Sequence, residues 1–315
     1  MPIDKLVYIL DVASFKAKHN GVNMLSPNIK LIPSYIQSNK LSTEKTVPYL
    51  FFHIPKSAGM SLFIGLGSGF HHGKDRLSFP YIVSRIDDEK KDLEVLSSLT
   101  EFFVKSESQE VGGIIASHIP NKVLNAANTP FKFITVLRDP ISRVMSAFTY
   151  DCMRNDIMPT SVLLNDFVKK ESNQNIMTKT LLGINKIQGG EGVISAKMVK
   201  NNFYAYCFVS DLNELIESLI TESGLPNIAL GSENQTLEKF KYTGSEEDRL
   251  LIASMNKEDV DLVNEIGSGS KNIPAYEKTS NISDRTVKVM GDQTSSKYNG
   301  ESALYKTEDL LKSVV

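Results

Sequence analysis

The chain has 315 residues, 41% of them hydrophobic and 23% charged, which predicts a soluble globular protein with one main domain and a sizeable core. Its 35 basic and 37 acidic residues give a formal net charge of −2, which excludes a global field that would attract nucleic acid or an anionic membrane. Any anion site must therefore be built locally. Cys152 and Cys207 are too few for a disulfide framework or a four-ligand zinc site and are typical of a reducing compartment, although one bridge between them stays open.

Residues 1–45 have a mixed, partly polar sequence and precede the first strong strand, which predicts an N-terminal arm. The first ten residues contain Asp4 and lack a basic region followed by a small-residue cleavage site, so no signal peptide is expected. No window approaches the roughly twenty continuous apolar residues of a bilayer span. We therefore expect a cytoplasmic protein and leave contact with a membrane surface open.

From residue 46 to residue 266 the sequence alternates between strand and helix patterns. Strands are predicted at 49–53, 113–117, 131–137 and 203–209. Helices are predicted at 60–66, 88–105, 141–153, 161–182, 212–220 and 246–266, with a polar loop at 68–76. This alternation predicts an α/β domain at residues 46–266, with a central parallel sheet flanked by helices and with ligands at the carboxyl ends of the strands.

The composition changes after Ile266, where glycine, serine and other polar residues replace the large apolar ones. Residues 267–315 are therefore predicted to form a weakly structured polar tail, with a short helix near its end. No internal repeat is evident in the chain.

The first segment that indicates chemistry is residues 51–61, with the sequence FFHIPKSAGMS. A buried strand leads into a tight loop at 53–59, and a helix begins at Met60. Backbone N–H groups of such a loop, together with a helix N-terminus, form an anion cradle to which Lys56 adds a full charge. The order differs from a Walker loop, because Lys56 stands before Gly59 and no partner carboxylate for a metal is evident.

The second segment is residues 136–146, with the sequence VLRDPISRVMS. The strand ends at Leu137, and Pro140 suits the first turn of a helix. Arg138 at the strand end and Ser146 on the helix, eight residues later, are placed to converge on one phosphate, which an arginine binds strongly.

Several charged residues near these segments have two interpretations each. Asp139 is predicted to cap the helix or to orient Arg138. Arg143 either faces a phosphate or forms a salt bridge on the helix surface. A further set of cations either lines the groove of an anionic acceptor or forms a solvated face: Lys74, Arg76, Lys169 and Lys170.

The first segment resembles the 5′-phosphosulfate loop of sulfotransferases that use 3′-phosphoadenosine 5′-phosphosulfate, and the second resembles their site for the 3′-phosphate. The likeness is closest to the carbohydrate branch, which includes the heparan sulfate 2-O and 6-O enzymes and bacterial relatives. It covers about residues 47–265, is weaker at 175–183, 206–215 and 233–235, and implies a P-loop-like three-layer fold. The donor-binding positions that it implies are Lys56, Ser57, Ala58, Gly59, Met60, Ser61, Arg138, Ser146 and Asn234.

Two positions depart from the family pattern. Ser57 and Met60 stand where threonines are usual. Ser57 keeps a hydroxyl, whereas Met60 offers only its backbone N–H, so Ser61 is the better side-chain contact.

Sulfuryl transfer develops negative charge on the bridging oxygen of the departing phosphate, and Lys56 is the predicted cation for that oxygen. An acceptor hydroxyl needs a base, and His118, at the end of the strand 113–117, is the predicted one. His53 is the rival base, although its place in the cradle favours a structural or donor-facing role. The pair His71 and His72 is expected to be exposed or to contact the acceptor. No metal is expected.

The sequence and the resemblance together predict a metal-independent sulfotransferase that acts on a hydroxyl of a carbohydrate, on a glycan or a glycolipid, and releases 3′-phosphoadenosine 5′-phosphate. The alternatives are a tyrosyl peptide or a small alcohol as acceptor, a nucleotide-dependent phosphotransferase, and a nucleotide-binding scaffold without turnover. The acceptor should be selected by residues 68–110 and 150–175, which contain no motif specific for one acceptor.

Overall fold

The computed structural model describes residues 6–10, 29–33, 47–72, 81–106, 110–127, 130–225, 228–230, 237–275 and 287–289. The strands are β1 (Leu6–Leu10), β2 (Ile29–Pro33), β3 (Tyr49–Phe52), β4 (Tyr81–Ile86), β5 (Gly112–Ser117), β6 (Lys132–Leu137), β7 (Ala205–Phe208), β8 (Ile228–Leu230) and β9 (Val287–Val289). The helices are α1 (Gly59–His72), α2 (Leu93–Lys105), α3 (Pro120–Ala127), α4 (Pro140–Arg154), α5 (Ser161–Lys169), α6 (Ile176–Leu182), α7 (Glu191–Asn202), α8 (Leu212–Glu222), α9 (Glu246–Met255) and α10 (Lys257–Ile266).

The main sheet has the strand order β2-β1-β4-β5-β3-β6-β7 within the described residues. The strands from β4 to β7 are all parallel, β1 joins β4 in parallel, and β2 joins β1 antiparallel at the edge. Strands β8 and β9 form a separate parallel pair. Every residue of β3 and β5 is buried, which is why both read as uninterrupted apolar or small-residue runs.

Side chains of β3 alternate between two apolar cores, one on each face of the sheet. Leu50 and Phe52 lie in the core formed with α2, α3, α6, α7 and α10, whereas Tyr49 and Phe51 lie in the core formed with α1 and α8. A third apolar cluster joins α4, α5 and α9. The predicted α/β fold, a three-layer structure with a central parallel sheet flanked by helices, is confirmed.

Helix α1 is longer than predicted, and β4 was not predicted. The glycine-rich stretch after residue 64 favoured a loop at 68–76, but the helix continues to His72. A Cβ on Gly67 would lie 2.9 Å from Cγ1 of Val83 in β4, so the glycine allows close packing of the helix on this strand. The predicted loop is therefore wrong for residues 68–72.

Two helices predicted as continuous are broken by a pair of buried asparagines. Asn175, with a φ of 51°, separates α6 from the turn Glu171–Asn173, and Asn256 separates α9 from α10. Oδ1 of Asn256 accepts from the backbone N–H of Asn175 at 2.9 Å, and Oδ1 of Asn175 accepts from the N–H of Glu258 at 3.0 Å. Each asparagine side chain thus accepts a hydrogen bond from a backbone N–H group at the helix break in the other segment. Helix α7 was not predicted.

Residues on both sides of the predicted domain contact the main sheet. The predicted arm at residues 1–45 contributes β1 and β2, and beyond Ile266 the residue Asn272 pairs with Tyr206 at the edge of β7. Cys152 and Cys207 are buried and free, so no disulfide joins them. Among the helices that the structure describes, none has the length and apolar character needed to cross a membrane.

Candidate active site

Four adjacent parallel strands end at the same edge of the sheet, and each is followed at once by a side chain of chemical interest. In the spatial order β4, β5, β3, β6, the next residues are Asp87, His118, His53 and Arg138. The register of the strands brings these ends near one another: Phe52, the last residue of β3, lies opposite Ser117, the last residue of β5, and opposite Thr135, two residues before the end of β6. The candidate site therefore lies where ligands of parallel α/β sheets bind.

The loop after β3 has the predicted geometry of a strand, a tight turn and a helix. Lys56 and Ala58 adopt left-handed backbone conformations, with φ of 69° and 56°. For residues other than glycine, this conformation costs on the order of 1 kcal/mol and occurs preferentially at functional sites. The N–H of Ser57 donates to Ile54 O at 3.3 Å and that of Ser61 to Ala58 O at 3.1 Å, so the turn is held by its own backbone.

The loop is packed tightly against the sheet. A Cβ on Gly59 would lie 2.0 Å from Cδ2 of His53, so only glycine fits here. The hydroxyl of Ser57 is buried and has no hydrogen-bond partner among the described residues. This hydroxyl is therefore free to donate to a bound anion. Ala58, Met60 and Ser61 are half-buried at the start of α1.

Lys56 is held against an aromatic ring of α4. Its Nζ lies 3.9 Å from the centroid of the Tyr150 ring, within the range of a cation–π contact. Burial, and secondarily the charge of Arg138, lowers the pKa of Lys56 to about 8. The ammonium group is therefore charged at neutral pH but weakly solvated, which strengthens its attraction for an anion.

Arg138 connects the second sequence segment to the first. Its Nη1 donates to the carbonyl oxygen of Lys56 at 2.9 Å. Burial lowers the pKa of Arg138, and Asp139 opposes this effect. Asp139 itself accepts from the N–H of Ser142 at 2.7 Å, so the predicted cap at the start of α4 is confirmed.

Ser146 and Tyr150 are four residues apart in α4 and therefore lie on one face of that helix. Because Tyr150 contacts Lys56, this face is the one that approaches the loop. Ser146 is half-buried. The structure thus brings Lys56 and Arg138 together, and the face of α4 that carries Ser146 approaches the same loop.

Arg143, one turn earlier in α4, is buried and turned towards other elements. Its Nη2 donates to Asn173 O at 3.2 Å, and its Nε lies 3.9 Å from Oδ2 of Asp259 in α10. Of the two interpretations, the salt bridge is the one that the structure contains, although the pair lies in the interior and not on the surface.

His118 faces a carboxylate on one side and has a vacant nitrogen on the other. Its Nδ1 lies 3.4 Å from Oδ1 of Asp87, whereas Nε2 is buried without a hydrogen-bond partner in the described part of the chain. Burial lowers the pKa of His118, Asp87 and Asp92 oppose this, and Arg85 lowers it further. A neutral imidazole with an unoccupied nitrogen is the form that a general base requires.

The side chain of His53 is almost completely buried among the residues that the structure describes. Its ring stacks on Phe51 with 5.3 Å between centroids and lies 4.5 Å from the His118 ring. Burial, and then the charges of His118 and Arg85, hold its pKa well below the usual value. With only 4% of its surface exposed, His53 suits the structural role better than that of a base in contact with an acceptor.

His53, Asp87 and His118 each offer one ligand atom, and these atoms lie within 4.8 Å of one another. Two imidazoles and a carboxylate are a donor set typical of zinc. However, Arg85 donates to Oδ1 of Asp87 at 3.1 Å and forms an ion pair with Oδ2 at 2.7 Å. Because the guanidinium of Arg85 already contacts both carboxylate oxygens of Asp87 and would repel a metal cation, these three residues fit a metal site poorly.

Sequence reasoning missed three residues of this region: Asp87, Arg85 and Tyr150. The signal for Tyr150 was its spacing of four from Ser146, and the signal for Asp87 was the polar end of the run at 81–86. Asn234 lies outside the described residues, as do the side chains of His71 and His72 and the residues Lys74 and Arg76. Lys169 and Lys170 are exposed.

Comparison with protein-family models and with curated proteins finds no match. The fold and the grouping of the site residues are observed, and their roles in binding and catalysis are predictions.

Proposed function

We propose that this chain is a sulfotransferase that moves the sulfuryl group of 3′-phosphoadenosine 5′-phosphosulfate to an acceptor hydroxyl. The observation that supports this most is that Lys56, in the loop after β3, and His118, directly after the neighbouring strand β5, lie at the same end of the sheet. One is a poorly solvated cation in an anion-binding type of loop, and the other is a neutral imidazole with a vacant Nε2. Transfer to a hydroxyl needs one group of each kind.

Binding of the donor is assigned to the two segments that meet at Lys56. The N-terminus of α1 and the turn before it suit the 5′-phosphosulfate, with the orphaned hydroxyl of Ser57 as a donor of a hydrogen bond. Arg138 uses one N–H group on Lys56 O and retains others for a 3′-phosphate, to which Ser146 is the second predicted contact. Asn234 remains a predicted contact of the adenosine.

In the proposed reaction, the acceptor oxygen attacks sulfur in line with the bridging oxygen of the donor. The new bond joins the acceptor oxygen to sulfur, and the bond between sulfur and the bridging oxygen breaks. The acceptor proton moves to Nε2 of His118, and the electron pair of the broken bond stays on the departing phosphate. Lys56 stabilises the charge that develops there, and the products are a sulfate ester and 3′-phosphoadenosine 5′-phosphate.

The acceptor class is part of the proposal and rests on the resemblance alone. A hydroxyl on a glycan or glycolipid is favoured, and a tyrosyl peptide or small alcohol is the alternative. A cytoplasmic location is likewise our expectation from cysteine usage and the N-terminal sequence.

The test is incubation of the full chain with a donor carrying ³⁵S, together with a panel of glycans, glycolipids, tyrosyl peptides and small alcohols. Transfer of label to one class, and calorimetric binding of 3′-phosphoadenosine 5′-phosphate, are expected. A parallel incubation with ATP and Mg²⁺ addresses phosphoryl transfer. Turnover of ATP without transfer of ³⁵S would overturn the proposal in favour of a phosphotransferase.

A further inference from the structure

We propose that Asp87 is a positioning residue that holds His118 with its proton on Nδ1, so that Nε2 is the proton acceptor. Its importance for catalysis rests on the proposed function, whereas the state of the imidazole does not. Asp87 follows β4 and His118 follows β5, and these strands are paired up to their last residues, Ile86 and Ser117. The N–H of His118 donates to Ile86 O at 3.1 Å, so the backbones of the two residues are fixed relative to each other.

The tautomer follows from the chemistry of the partners. An ionised carboxylate only accepts hydrogen bonds, so the imidazole nitrogen that faces Asp87 is the one that we infer to carry the proton. That nitrogen is Nδ1, at 3.4 Å from Oδ1, which is longer than a formed hydrogen bond, and the proposal requires this contact to tighten when substrate binds. Nε2 then presents a lone pair, and it has no partner among the described residues.

Asp87 is itself held in place from two directions. Arg85 donates from Nε to Oδ1 at 3.1 Å and lies 2.7 Å from Oδ2, so the guanidinium fixes the plane of the carboxylate. The backbone N–H of Asp87 donates to Oδ2 of Asp92 at 2.7 Å. Arg85 also donates from Nη1 to Sδ of Met60 at 2.8 Å, which links this carboxylate to the start of α1. The base and the donor loop are thereby connected through a single arginine.

The charged and titratable groups that face His118 come from every element around it: Asp87 and Asp92 after β4, Arg85 in β4 and His53 after β3. The carboxylates favour the imidazolium, and Arg85 opposes it. Neutralising Asp87 removes a favourable charge, so the pKa of His118 should fall further. An amide at this position can also donate to Nδ1, which allows the proton to move to Nε2.

The test is Asp87→Asn in the full chain, read by long-range ¹H–¹⁵N NMR spectra with ¹⁵N-labelled histidine. His118 is assigned by loss of its signals in His118→Gln. The wild-type protein should show a protonated Nδ1 and an unprotonated Nε2, and Asp87→Asn should shift the proton to Nε2. Asp88→Asn, which changes the neighbouring exposed carboxylate, is the matched control and should leave the His118 signals in place.

Kinetics provide the second measurement once an acceptor is known. Asp87→Asn should lower kcat by about 10²- to 10⁴-fold with little change in the Kd of 3′-phosphoadenosine 5′-phosphate, and Asp87→Glu should restore part of kcat. A wild-type His118 protonated on Nε2, or tautomers and kcat that do not respond to Asp87→Asn, would overturn the inference. If the tautomers are as expected but the protein transfers no sulfuryl group, the proposed function is wrong and the role of Asp87 in orienting His118 still holds.

Discussion

Arg138 donates a hydrogen bond from Nη1 to the main-chain carbonyl oxygen of Lys56 at 2.9 Å. The two residues lie in different sequence segments and on different strand ends, so this bond joins the two halves of the proposed donor site. Lys56 has a φ of 69°, and a bond to its carbonyl stabilises this unfavourable backbone conformation. The residue proposed to bind the 3′-phosphate therefore also holds the loop that carries the proposed leaving-group cation.

Replacing Lys56 with alanine should lower kcat for sulfuryl transfer by about 10²- to 10³-fold, because the charge on the departing phosphate loses its nearest cation. The Kd of 3′-phosphoadenosine 5′-phosphate should change less, since Arg138 and the loop backbone remain. The measurements are turnover of ³⁵S-labelled donor and calorimetry. Lys197→Ala, which removes an exposed lysine of α7, serves as the control. Unchanged turnover in Lys56→Ala would show that Lys56 does not stabilise the departing phosphate.

Arg138→Ala should weaken the binding of 3′-phosphoadenosine 5′-phosphate by about 10- to 100-fold, the equivalent of one or two charge-assisted hydrogen bonds. Adenosine 5′-phosphosulfate, which lacks the 3′-phosphate, should lose much less affinity in the same calorimetric titration. Equal losses for both nucleotides would mean that Arg138 acts through Lys56 and the loop instead. Arg154→Ala, at the exposed end of α4, controls for a general loss of positive charge.

The pH profile of kcat/KM should be bell-shaped. His118 must be neutral to accept a proton, and burial places its pKa below the usual value of about 6.5, so activity should rise with pH in that range. Lys56 must be protonated, and its pKa of about 8 makes activity fall above that pH. Lys56→Arg keeps the charge at high pH and should remove the alkaline limb. A wild-type profile that stays flat from pH 7 to pH 9.5 is incompatible with this assignment.

Chelation with EDTA should leave sulfuryl transfer unchanged, because Arg85 already occupies the carboxylate of the only histidine and aspartate cluster found among the described residues. The measurement is the rate of ³⁵S transfer before and after dialysis against the chelator. A rate that falls and is restored by Zn²⁺ would make His53, Asp87 and His118 a metal site. A requirement for Mg²⁺ together with ATP turnover would favour the phosphotransferase.

Gly59→Ala should lower the free energy of unfolding by about 1–3 kcal/mol, because the new methyl group would overlap the His53 ring. Gly59 is outside the left-handed region, so the effect is steric and not conformational. In urea unfolding, the double variant Gly59→Ala, His53→Ala should be less destabilised than the sum of its two single variants. Additive losses would show that the alanine is accommodated without contact to His53.

The segments that were predicted correctly have strong local signals. Strand β3, its loop and the start of α1 combine an apolar run with proline and glycine, and α4 begins with an aspartate cap and a proline. Strand β4 alternates less clearly, and its place beside β5 depends on the strand order, which a single sequence does not reveal. Asp87 could not be paired with His118 for this reason.

Other features depend on contacts between distant residues. In the sequence, the glycines of α1 indicate a loop. Their presence in a helix is explained only by the close packing of Gly67 on Val83, which the sequence does not reveal. The breaks at Asn175 and Asn256 arise from bonds between residues 81 positions apart. Local propensity favours continuous helices at both places, and tertiary hydrogen bonds override it.

The central position of β3 has a consequence for the length of the donor. Neighbouring strands lie about 4.8 Å apart, so β5 and β6, the strands on either side of β3, are roughly 10 Å apart, and Arg138 lies two residues further along the sheet than His118. Under the proposed function, the acceptor hydroxyl and the 3′-phosphate approach from opposite sides of that strand. The spacing of the strands then selects the length of the donor. A nucleotide whose 3′- and 5′-phosphates are spaced differently could bind Arg138 but would hold its reacting sulfur out of reach of an acceptor beside His118.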